Sequence, residues 1–209
     1  MGRVWKHYES AFEQYLRSRR VPYVSVDEAR RTLLPEGADF SVRAEHPGDP
    51  GRPELLKSFD YVIYGDTGRE GGPSNLLVEV KGRKIGRPSR GVAALDRPIA
   101  QDRPRRAGRA QAPPRLECWV TLDDVTSMQR WRRLFGGQFA AAFVFIYWCD
   151  QVPPDGLFHE VFEHAGRWYT VRGVDVERYA ERMRLRSPRW RTVDLPPAVF
   201  EELAAPVCG

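Results

Sequence analysis

Lys57-Ser58-Phe59-Asp60 and, further on, Leu77-Val78-Glu79-Val80-Lys81 frame the passage whose reading decides the fold. Each motif belongs to a run of β-forming residues, Leu55–Tyr64 and Leu76–Val80. Between the runs lies Gly65-Asp-Thr-Gly-Arg-Glu-Gly-Gly-Pro-Ser74, which has the composition of a hairpin loop. Burying ionised Asp, Glu and Lys inside apolar strands is costly unless they pair or hold a cation. Strand geometry lets them meet. A hairpin pivoting on the midpoint of 65–74 sets position 60 opposite position 79. Glu79 and Lys81 are two residues apart, so they share one face of their strand. An Asp, a Glu and a Lys are thus expected to converge on a central hairpin.

Two carboxylates and a backbone carbonyl are hard oxygen ligands of the kind that suit Mg²⁺, which keeps several of its waters. A neighbouring Lys can orient or deprotonate a water, or steady developing negative charge. The bland alternative is a cross-strand ion pair on a solvated face.

The surrounding pattern supplies the rest of a fold. Residues 4–20 read as an amphipathic helix, with Tyr8, Phe12, Tyr15 and Leu16 at helical spacing and Pro22 as its stop. Val21 to Val26 is a short strand, and the Pro- and Gly-rich residues 35–54 an irregular loop. Thr121 is placed to N-cap a helix through Phe135, with Asp123 and Asp124 in the first turn and Gly136-Gly137 at its end. Phe139–Trp148 is a nearly continuous apolar run, the signature of a buried strand. Beyond it come a strand pair near 157–163 and 167–172, a helix near 174–185, a strand near Trp190–Val193 and a last helical turn from Pro197. The expected class is α/β: a mixed central sheet flanked by helices in the order α-β-β-β-α-β. Residues 1–150 form that core, and 151–209 a small C-terminal α/β extension packed on it, in one domain overall.

This pattern resembles the PD-(D/E)XK nuclease superfamily, and in particular looks like the archaeal Holliday-junction resolvases and Mrr-like restriction endonucleases. The matching residues are Asp60, Glu79 and Lys81, and the resemblance spans about residues 4–148 in element order. Phe59 stands where the motif has its proline. The resemblance implies a restriction-endonuclease-like core and Mg²⁺- or Mn²⁺-dependent hydrolysis of phosphodiester bonds in DNA. Asp60, Glu79 and the Val80 carbonyl would hold the metal, and Lys81 would position or activate water. Many such nucleases add a first-helix glutamate. Glu9 fits the resolvase spacing ahead of Phe12 and Leu16; Glu13, following Phe12, fits the Mrr-like pattern. Dimerisation would suit a resolvase, although no stretch of the chain locates an interface. The alternative is a non-catalytic nucleic-acid-binding or scaffold module that keeps the fold.

Charge supports a polyanionic partner. The 209 residues carry a net charge of +5, and residues 82–116 hold ten basic side chains against Asp96 and Asp102. With four Gly and five Pro, this stretch reads as a long mobile loop starting at the mouth of the site. Lys57, Arg83, Lys84 and Arg87 are the candidate backbone contacts nearest the motif. Arg184 and Arg186 lie in a second run from Arg178 to Arg191 and offer bidentate grips on phosphate. His7 stands at the helix end expected to face the site. Phosphate contacts carry no information on sugar or base, so RNA stays open beside DNA. Other classes find no support. His159 and His164 have no cysteine partners nearby for zinc, and the glycines at 65–72 lack the ending of a phosphate loop. No apolar run approaches the roughly 20 residues that span a bilayer. Cys118, Cys149 and Cys208 form no CxxC pair, which points to reduced thiols in a cytoplasmic protein.

Overall fold

Tyr8, Ala11, Phe12, Tyr15 and Leu16 fall on one side of helix α1 (Lys6–Ser18) and are all buried. Arg20 adopts a left-handed φ of 57° just beyond the helix end, and Pro22 then turns the chain into strand β1 (Tyr23–Ser25). The computed structural model describes residues 6–27, 44–46, 49–54, 56–65, 75–85, 116–149 and 160–207.

After β1 come β2 (Ala44–His46), β3 (Asp49–Glu54), β4 (Tyr61–Tyr64), β5 (Asn75–Ile85), β6 (Val120–Thr121), α2 (Leu122–Phe135), β7 (Phe139–Cys149), β8 (Val161–His164) and β9 (Arg167–Asp175). The chain closes with α3 (Val176–Arg182), β10 (Arg184–Ser187), β11 (Thr192–Asp194) and α4 (Pro197–Leu203). The main sheet is mixed, with strands in the order β1-β4-β5-β7-β9-β8. β5 runs antiparallel to β4 and parallel to β7, so α2 lies in the crossover between two parallel neighbours. The chain runs α1, β1, β4, β5, α2 and β7 in the expected order only when β2, β3 and β6, which belong to two other sheets, are set aside.

Both faces of this sheet are covered, which is why β7 is apolar along its whole length. Val78, Val144, Ile146, Tyr169 and Val171 pack against α1. Leu77, Phe143, Phe145 and Tyr147 point the other way, into a core shared with Val125 and Met128 of α2, Tyr179 of α3 and Phe200 of α4. No described helix is long and apolar enough to cross a membrane.

Several expectations need correction. β5 does not end at Val80 but continues to Ile85, paired with β7 as far as Ile85↔Cys149. Residues 82–85, assigned to the basic loop, are therefore strand. The remainder of that loop, from 86 to 115, lies outside the described residues. Within the expected irregular loop at 35–54, β2 and β3 form an antiparallel pair. The residues after 150 do more than pack on the core: β9 pairs with β7 and β8 with β9, extending the main sheet. Asp175 caps α3 by accepting from the Glu177 and Arg178 N–H groups, and α3 stops at Arg182. Arg184–Ser187, expected to be helical in part, instead forms β10 of a second sheet, β10-β11-β6.

Candidate metal centre at the end of the β4–β5 ladder

The register of β4 on β5 is Tyr61↔Val78, Val62↔Leu77, Ile63↔Leu76 and Tyr64↔Asn75. One step further it sets Asp60 against Glu79, the juxtaposition expected from the hairpin midpoint. The backbone ladder ends there. The Asp60 N–H donates to the Val78 carbonyl (2.9 Å), and the Asp60 carbonyl accepts from the Val26 N–H (2.9 Å). The carboxylate itself takes over the next rung: Oδ2 accepts from the Val80 N–H at 2.6 Å. Beyond this point β5 has a strand partner only on its β7 side among the described residues.

Asp60 and Glu79 are crowded negative groups. The Asp60 carboxyl is pushed from its ordinary 3.8 to about 8, first by burial, then by the charge of Glu79, and to a lesser degree by that of Glu9. Glu79 is also raised, chiefly by burial, although Lys81 pulls it back. Each carboxyl has only one oxygen in a hydrogen bond among the described residues, Asp60 Oδ2 with Val80 and Glu79 Oε1 with Lys81. Hence an Asp60 oxygen and a Glu79 oxygen remain for a hard cation. Among the described residues, no group of three or more His, Cys, Asp and Glu side chains gathers into a ready-made metal cage. What the fold brings together is the Asp60 carboxyl, on the residue before β4, and the Glu79 carboxyl on β5, with the Val80 carbonyl on the residue between Glu79 and Lys81.

Lys81 is held from two sides. Its Nζ lies 2.8 Å from Glu79 Oε1 and 3.1 Å from Asp124 Oδ2. Burial alone would lower its pKa, but Glu79 and Asp124 outweigh burial and raise it. Lys81 is therefore an ammonium at neutral pH. Asp124 is the site residue that sequence reasoning missed. It is buried and serves three partners: Thr121 N–H donates to its Oδ2 (2.9 Å), Lys57 Nζ to its Oδ1 (2.9 Å), and Lys81 also pairs with it. Burial opposes its ionisation, yet Lys81 and Lys57 hold it at about 2. Its visible signal was the capping box Thr121-Leu-Asp-Asp124, in which Thr121 Oγ1 accepts from the Asp124 N–H at 3.1 Å. That motif marks a helix start, and nothing in it announces two lysines.

The first-helix glutamates separate in their partners. Glu13 pairs with Arg17 (3.0 Å) and accepts from the Tyr61 hydroxyl (3.3 Å). Glu9 sits in the first turn of α1, and its charge helps to raise Asp60.

The expected nucleic-acid contacts fare unevenly. Lys57 is committed to Asp124 and Thr121, though half-exposed. Arg83 requires correction: it is buried, its guanidinium donates to the Gly82 and Trp119 carbonyls, and it stacks on the Trp119 ring at 4.0 Å. It holds the end of β5 against the segment before β6 and is not at the surface. Lys84 is exposed, with Nζ 4.3 Å from the Trp148 ring centroid. Arg184 pairs with Asp194 (2.9 Å), and Arg186 with Glu117 (3.4 Å) while approaching Trp119 from 5.4 Å. Arg87 lies outside the described residues, as do His159 and Cys208. No family model, curated protein or solved structure matches the chain, and its chemistry has to be read from these side chains.

Proposed function

We propose that the chain is a divalent-metal-dependent phosphodiesterase acting on DNA, built on a restriction-endonuclease-like core of the PD-(D/E)XK kind. The observation that carries the proposal is the β4–β5 register, which sets Asp60 against Glu79 where the ladder ends and Lys81 projects from the same face. Asp60, Glu79 and the Val80 carbonyl would hold Mg²⁺ or Mn²⁺, with Glu9 assisting from α1. Such a sparse, all-oxygen set suits an ion that retains water, and its positive charge would relieve the crowding that drives Asp60 upward. The chemistry the ion supplies is charge neutralisation at the phosphodiester and a more acidic water.

Lys81 does the rest as a cation. A side chain kept protonated by Glu79 and Asp124 is a poor base but a good donor to a phosphate oxygen on which negative charge grows. Asp124, fixed by the helix cap and by Lys57, aims it.

Purified protein incubated with duplex and single-stranded DNA and with RNA tests the reading. Cleavage of DNA is expected with Mg²⁺ or Mn²⁺ and not with EDTA, and Asp60→Asn, Glu79→Gln and Lys81→Ala should each reduce it at least 100-fold. Cleavage unaffected in all three overturns the assignment, and cleavage of RNA alone corrects the substrate. The rival scaffold reading draws on the closed Glu79–Lys81–Asp124 ion-pair chain. Calorimetry with Mn²⁺ decides between them, because a scaffold would release no binding heat that depends on Asp60.

A further inference from the structure

Lys81 stands between two carboxylates that are anchored very differently. Glu79 belongs to its own strand, two residues back on the same face, whereas Asp124 meets it from the first turn of α2. Glu79 engages one oxygen, with Lys81 itself. Asp124 engages both: Oδ2 takes the Thr121 N–H and Lys81, and Oδ1 takes Lys57. A buried carboxylate with three donors at a helix cap is fixed in place, whereas Glu79 is held mainly by the ammonium that it holds.

The third partner of Asp124 is stapled to the same helix. The Lys57 N–H donates to Ser127 Oγ (3.1 Å), its carbonyl accepts from Trp131 Nε1 (2.7 Å), and its Nζ also donates to Thr121 Oγ1 (2.9 Å). Asp124, Ser127 and Trp131 follow one another at helical spacing along one side of α2. Phe59 then meets the Trp131 ring edge-on at 5.4 Å, and the next residue is Asp60. One side of α2 therefore sets Lys57, Asp124 and the approach of the chain to Asp60.

Two ammonium groups here face two carboxylates, and the charges of both Asp124 and Lys57 are felt at Glu79. Without Asp124, Glu79 alone of the two would answer Lys57 and Lys81. An ammonium that neutralises Glu79 weakens the attraction of that carboxylate for any other cation. We propose that Asp124 is a positioning residue for Lys81: it anchors the ammonium from α2, with Lys57 filling its second oxygen, and so leaves Glu79 available to a divalent cation. Lys81 is thereby kept beside the metal centre without competing for it. This deepens the proposed function and rests on it for the presence of a cation, but not for the nature of the substrate.

Mn²⁺ binding to the full chain, read from the electron paramagnetic resonance signal of the free ion, tests it without any substrate. Asp124→Asn should weaken binding about 10-fold, and in a Lys81→Met background the same substitution should change it by less than about 3-fold. Asp123→Asn removes the same charge one residue away, from a half-exposed pair with Arg191, and should alter affinity less than about 2-fold. Equal weakening by Asp124→Asn with and without Lys81 would mean that Asp124 acts through its charge alone, and overturns the inference, as does no weakening at all. Either result leaves the metal centre standing. Absence of Mn²⁺ binding to the unaltered protein overturns both. A crystal of the unaltered protein soaked in Mn²⁺ gives a second reading that does not depend on a variant folding. Lys81 Nζ still within hydrogen-bond distance of Asp124 Oδ2 beside the bound ion is the expected result, and Lys81 parted from Asp124 overturns the assignment.

Discussion

Asp60→Asn should make the metal-free protein more stable at pH 8 while abolishing metal binding. In the folded chain the Asp60 carboxyl keeps its proton up to about pH 8, against an ordinary 3.8. Between those values the folded state binds the proton and the unfolded state does not, so stability falls as pH rises through the interval. The contribution is complete below the unfolded value and lost above the folded one. At 1.36 kcal/mol for each pH unit, the interval is worth on the order of 5 kcal/mol. Asparagine avoids that cost and can still accept from the Val80 N–H through its amide oxygen, but it forgoes the attraction of Lys81. A net gain of about 2–3 kcal/mol follows, or roughly 5–10 °C in melting temperature for a chain of this size. Differential scanning calorimetry in EDTA at pH 8 and at pH 4 measures it: the variant should melt higher at pH 8, and the difference should shrink towards zero at pH 4. Millimolar Mg²⁺ or Mn²⁺ should then raise the melting temperature of the wild type but not of the variant. A variant that melts at or below the wild-type temperature at pH 8 would refute the crowding of Asp60 and Glu79, and with it the electrostatic support for a cation there.

Asp124 shifts the opposite way, from 3.8 to about 2, so its contribution of about 2 kcal/mol is present above pH 4 and disappears as pH falls through 2. Asp124→Asn should cost about that much in urea unfolding at pH 7 and nothing further at pH 2; equal losses at both pH values would dismiss the ion pairs. Gly82→Ala drives a methyl into the Tyr8 ring and should destabilise by about 1–3 kcal/mol. Combined with Tyr8→Ala the penalty should be clearly less than additive, as double-mutant cycles by chemical denaturation would show. Arg83→Met loses two carbonyl partners and the Trp119 stack, so it should lower stability by about 1–3 kcal/mol without altering the salt dependence of nucleic-acid binding. A change in that slope would return Arg83 to the interface.

What could be read from the chain follows from how far each signal reaches. Asp60 against Glu79 was legible because an antiparallel hairpin obeys simple arithmetic: a centred loop and a side-chain period of two leave one register. α2 was legible for a similar reason, since Thr121 and Asp124 cap it within four residues. The far half of β5 was not. Gly82-Arg83-Lys84 has poor strand propensity and high charge, and only pairing with the sequence-distant Ile146, Tyr147 and Trp148 on β7 makes it a strand. The same non-local pairing draws β8 and β9 into the main sheet. Asp124 shows the limit most clearly. Its role as a cap is written locally, whereas its contacts with Lys57 and Lys81 exist only because α2 crosses over β5. Charges that look like a solvated loop in a linear reading are here sorted by the pleat. Lys81 turns towards α2 and the carboxylates, Arg83 is sealed by carbonyls on that same face, and Lys84 turns towards α1 and Trp148. A strand anchored along β7 can carry such alternation, because each of its faces meets a different layer of the fold. The pleat of β5 thus sends Lys81 and Arg83 to the α2 layer and Lys84 to the α1 layer, each to partners that only the folded sheet brings near.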